Sequence, residues 1–132
     1  ITCKVKDGEL YSGGQGTQKG SGVFIYLDTK NECLKEPAEG VYKVWCSYKG
    51  DITVWQGNKG KWENSELEGL QITPSVVSGG YELAFTIPLN RSFNKDAMRL
   101  CATLSTKTYT ETLVHSNADR SCTWMKMNLG GH

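Results

Sequence analysis

Tyr81-Glu82-Leu83-Ala84-Phe85-Thr86-Ile87-Pro88-Leu89 alternates large apolar residues with small or polar ones, and that period decides the fold class. Leu83, Phe85, Ile87 and Leu89 fall on one side of an extended chain, because successive side chains of a strand point to opposite faces. A helix would scatter the same four around its circumference. Pro88 has no N–H to give a ladder, so this strand has an exposed edge or ends there.

The pattern repeats outward in both directions. Val23 to Leu27, Val41 to Tyr48 and Ile52 to Gln56 are β-branched and aromatic runs. Ala97 to Leu104, Thr108 to His115 and Cys122 to Met127 complete the set. Between them lie the turn clusters Lys49-Gly50-Asp51, Gly57-Asn58-Lys59-Gly60 and Ser78-Gly79-Gly80. Short strands with such punctuation predict an all-β domain, an antiparallel β-sandwich or a partly closed β-barrel. Helix is confined to one or two turns, over Thr29 to Glu39, where Pro37 would end it, and over Trp62 to Leu70. With no internal repeat and no linker, residues 1–132 read as a single domain.

Charge narrows the function classes. A formal net charge of +1 is too small for the basic surface that grips nucleic acid nonspecifically. No apolar run approaches the roughly 18 residues that cross a bilayer, so membrane insertion is not expected. The glycine-rich stretch Tyr11 to Gly22 fits neither a P-loop nor a dinucleotide fingerprint, and reads as a surface loop without a cofactor.

Cys3, Cys33, Cys46, Cys101 and Cys122 span the chain without the close pairing that metal sites use. They are expected to staple a secreted, extracellular domain with two disulfides, leaving one thiol over. The favoured bridges are Cys3–Cys122, and Cys46 with either Cys33 or Cys101. A cytosolic protein with reduced thiols is the alternative. The start at Ile1-Thr2-Cys3 reads as a mature chain after removal of a signal. Asn90-Arg91-Ser92 is an N-glycosylation acceptor. His132, in the closing Gly130-Gly131-His132, is assigned no function.

Catalytic chemistry has few candidates. His115, on the parity of Glu111 and Leu113, is the one internal histidine and would serve a small secreted hydrolase as its base. Glu63, Glu66 and Glu68 would suit a glycosidase only if two of them faced each other at about 5 Å or roughly 6.5–9.5 Å. No zinc or EF-hand spacing occurs, Asp7 and Glu9 being too isolated, so no metal is expected.

Tyr42 to Trp62 interleaves aromatics with lysines. Tyr42, Val44, Cys46 and Tyr48 share one face of their strand, and Val41, Lys43, Trp45 and Ser47 the other. Ile52 and Val54 look inward, which sends Trp55 outward. Trp45, Trp55 and Lys43 are thus expected on one solvent-facing side and are the expected ligand contacts, with Tyr48 and Trp62 as further candidate contacts. Exposed tryptophans stack sugar rings and anchor protein interfaces.

Cys46, Trp55 and Cys101 resemble the Cys…Trp…Cys framework of immunoglobulin-like domains over residues 41 to 105. That resemblance implies a sandwich; Arg99 stands where the family's corner tyrosine belongs, and Cys101 alternates away from Met98, Leu100, Ala102 and Leu104. In size, early cysteine, β pattern and aromatic content, the whole chain resembles small secreted fungal effectors or elicitors. That resemblance implies non-enzymatic recognition of a protein or glycan at a cell surface. A lectin or carbohydrate-binding module and a His115 hydrolase are the alternatives.

Overall fold

The computed structural model describes residues 1–6, 10, 20–89, 93–105, 110–112, 121 and 124–128. Among them run ten strands: β1 (Thr2–Lys6), β2 (Gly22–Asp28), β3 (Val41–Ser47), β4 (Ile52–Asn58), β5 (Lys61–Asn64), β6 (Gln71–Val77), β7 (Gly80–Thr86), β8 (Ala97–Ser105), β9 (Thr110–Thr112) and β10 (Met125–Asn128). All pairings are antiparallel. They form two separate sheets, a small one in the order β1-β7-β6 and a large one in the order β10-β8-β2-β3-β4-β5, with β9 also on β8. Two open sheets packed face to face make a sandwich, so the barrel alternative falls away.

The core lies where alternation put it. Tyr81, Leu83 and Phe85 of β7 pack on Val23, Ile25 and Leu27 of β2 and Cys46 of β3. β7 stops at Thr86, ahead of Pro88. Leu89 therefore leaves the face it was expected to share and is 50% exposed.

β1 and β6 are strands the sequence reading did not mark. β6 is an edge strand with nearly every residue exposed, so no buried face imposes alternation on it. Its edge position is also what accommodates Pro74.

Neither expected helix forms. Residues 29–40 are a loop, held at its root by the buried Asp28, whose carboxylate accepts hydrogen bonds from the N–H groups of Glu32 (3.2 Å) and Cys33 (3.0 Å). Asn31 and Cys33 adopt φ values of 52° and 57°, left-handed positions that break a right-handed helix. Trp62 joins β5 instead of opening a helix. The turn before it places Lys59 and Gly60 at φ 49° and 84° between β4 and β5, the two-residue geometry that matches strand twist in a hairpin.

The disulfide expectation is corrected. No disulfide joins any two of Cys3, Cys33, Cys46 and Cys101, and Cys122 lies outside the described residues. Cys46 and Cys101 cannot bridge, because they point to opposite faces of the same sheet: Cys46 into the inter-sheet core, Cys101 into a second cluster with Tyr26, Val41 and Trp124. Cys33 is exposed in the 29–40 loop, and Cys46 is fully buried.

Burial pushes the Cys46 thiol up to about 12, with the Asp51 carboxylate and Cys3 adding to the shift. A thiol whose value is raised on folding favours the native state below its unfolded value, near 8.5, and loses that contribution as pH rises towards 12. Stability is therefore expected to fall from about pH 9 upward, with a shallower fall in Cys46→Ala. In native protein at pH 8, a thiol reagent should label Cys33 at once, and Cys46 and Cys101 only on unfolding. Equal rates at all three would contradict the assignment.

Candidate functional site

The outer face of the large sheet, turned away from the small sheet, carries Phe24, Tyr26, Trp45, Trp55 and Trp62. Register places Asn64, Trp55, Lys43, Tyr26 and Cys101 in one cross-strand row, and Thr53, Trp45, Phe24 and Thr103 in the next. Trp62 sits opposite Gly57 on the same face, because directly paired residues of antiparallel strands share a side.

Phe24 stacks near Trp55 with centroids 6.4 Å apart and planes at 29°, and near Tyr26 at 6.3 Å and 25°. Tyr26 also meets Trp62 at 5.9 Å and Trp124 at 5.8 Å. The Lys43 ammonium stands among four of these rings, 4.8 Å from the Trp55 centroid, 5.2 Å from Phe24, 5.9 Å from Tyr26 and 6.0 Å from Trp62. Each ring presents its negative face to the cation, and the lysine stem lies along apolar surface. Phe24, Lys43, Trp55 and Trp62 remain half-buried, so the rings are accessible while their neighbours fix them.

The five residues proposed from the sequence divide. Lys43, Trp55 and Trp62 come together. Trp45 shares their face but was expected in solvent; it is 3% exposed, its indole against Phe24 at 4.9 Å. Gly22 makes that burial feasible, since a Cβ there would lie 2.4 Å from the Trp45 ring. Tyr48 follows β3 on the opposite face, packs on the inter-sheet core and meets Tyr81 at 6.1 Å. Phe24 and Tyr26 are members that sequence reasoning missed. Their signal was present: both alternate with the core residues Val23, Ile25 and Leu27, which sends them to the outer face.

The three glutamates do not converge on one site. Glu63 lines a polar cleft behind the β4–β5 hairpin, while Glu66 and Glu68 border another of mixed character, about 420 Å³, with Ile52, Val54, Ser65, Leu67 and Leu70. Ile52 and Val54 thus keep the inner side, although Ile52 is 44% exposed. His115, Asn90, Cys122 and His132 lie outside the described residues. Among the described residues no group of three or more His, Cys, Asp or Glu could hold a metal.

An ammonium donor set among flat rings can bind a ligand that combines apolar ring faces with hydroxyl acceptors. No protein-family model and no curated protein match the chain. Among solved structures it is similar to a family 9 carbohydrate-binding module from Caldicellulosiruptor kristjanssonii in complex with cellotriose. The TM-score is 0.78 at 12% identity, over 99% of this chain and 68% of that one. A structure of such a module from the same organism in complex with glucose gives a TM-score of 0.75 at 12% identity, over 99% and 70%. At that identity the likeness shows the fold: this chain has the β-sandwich of those modules.

Proposed function

We propose that this protein is a non-catalytic carbohydrate-binding module whose outer aromatic face takes a glucan segment. The observation that carries the reading is the half-buried set Phe24, Trp55 and Trp62 around the Lys43 ammonium. The rings offer stacking for the apolar faces of pyranoses, and Lys43 donates to their hydroxyls. Support for glucose units as ligand comes from the sugars bound by the two similar structures. In this reading the module works outside the cell, where polymeric glycans are met, and an effector- or elicitor-like role would act through that glycan.

Titration with glucose, cellotriose and an unrelated soluble glycan, followed by tryptophan fluorescence, tests the proposal. Cellotriose should give a saturable change at lower concentration than glucose, because a longer chain covers more rings. Absence of a saturable change with every sugar would remove the reading.

A further inference from the structure

The reverse side of the β4–β5 hairpin holds a cleft of about 320 Å³ that the aromatic face does not use. Gln56 pairs with Glu63, and both alternate away from Trp55 and Trp62, so the two surfaces lie on opposite sides of one ribbon. Glu39, Gln56, Asn58, Glu63 and Ser65 line the cleft, and so does Asn64, which pairs with Trp55 and is shared with the aromatic side. We propose that it is a second sugar-binding subsite, which recognises a single pyranose through its hydroxyls and not by stacking.

The lining is chemically one-sided. Two carboxylates accept hydrogen bonds, three amides both donate and accept, and a hydroxyl does either. Among the described residues no lysine, arginine, aromatic or aliphatic side chain contributes, which disfavours anions and apolar ligands. A ring bearing several vicinal hydroxyls has the complementary pattern, and its bonds to carboxylates are the strong, charge-assisted kind. The volume falls in the range of small-molecule sites, at the end that suits one ring.

The walls are also held before any ligand arrives. Gln56 Oε1 accepts from the Gly40 N–H at 3.0 Å, and its Nε2 donates to Ser65 Oγ at 3.4 Å. Asn58 Nδ2 donates to Glu63 Oε1 at 3.2 Å, which orients that carboxylate. The 29–40 loop is tied to the hairpin by the Gly60 N–H on the Pro37 carbonyl at 2.8 Å. Gly57 lets loop and strand approach, since a Cβ there would lie 2.3 Å from the Ala38 nitrogen. Glu39 also lines the cleft, and burial first, then the Glu39 charge, raises the Tyr42 hydroxyl. A held polar wall loses little freedom on binding.

Isotope-labelled protein titrated by NMR separately with glucose and with calcium chloride tests the subsite. Glucose should shift the side-chain amide signals of Asn58 and Gln56 saturably. In the double variant Glu39→Ala/Glu63→Ala, the dissociation constant read at Asn58 should rise at least tenfold, while the Trp55 and Trp62 indole signals titrate as in wild type. Glu39 and Glu63 are exposed, and an unchanged spectral dispersion verifies the variant's fold. Amide signals that ignore glucose, respond equally in the variant, or move only with calcium would overturn the subsite. Movement of the indoles alone leaves the aromatic face and removes the cleft; the reverse pattern does the opposite.

Discussion

Trp45→Ala is expected to cost about 3–5 kcal/mol of folding stability, the range for emptying a buried aromatic site. Its indole is 3% exposed and lies between Phe24 and the backbone at Gly22. Both neighbours belong to β2, the strand that β3 and β8 both pair with, so the space is walled by a central strand. At a urea slope of about 2 kcal/mol per molar, the midpoint should drop by roughly 2 M with the slope unchanged. A loss below about 1 kcal/mol would mean that the ring is peripheral and the outer face is built differently.

Trp55→Ala should do the reverse: leave folding nearly intact and abolish most binding. Trp55 is half-buried on a strand paired on both sides, so truncation opens no closed cavity. It is also the ring nearest the Lys43 ammonium, at 4.8 Å, and it stands near-parallel to Phe24. Removing it takes away a stacking surface and frees the lysine stem it helps to position. A central aromatic contact is worth about 2 kcal/mol or more, which is a fall of roughly 30-fold in affinity for cellotriose. Trp55→Phe should recover part of that loss, because a smaller ring still presents a face. A folded Trp55→Ala protein that binds cellotriose as wild type does would remove the aromatic face as the site.

The contrast between these two tryptophans marks how far the residues alone could carry the argument. Parity along Val41 to Tyr48 and Ile52 to Gln56 put Lys43, Trp45 and Trp55 on one face, and the register agrees. It could not tell that one indole would be sealed and the other left open. Burial on the outer face depends on the neighbouring strand, here Phe24 against the Trp45 indole and the close approach at Gly22, both on β2 and distant in sequence from Trp45. The cysteines teach the same lesson. Their number and spacing suggested staples, but whether two sulfurs can meet depends on which face each occupies, and Cys46 and Cys101 take opposite ones.

Sequence by itself determined the all-β class and the inner core of β2 and β7, along with the side of the large sheet to which each β3 and β4 residue points. Those properties follow from a two-residue period, which is local and written directly in the order of residues. Tertiary structure alone decided the separation into two sheets, the edge roles of β5 and β6, the gathering of four rings around Lys43, and the polar cleft behind them. Those depend on strand order and on loops folded back over a face, long-range pairings that no local period encodes.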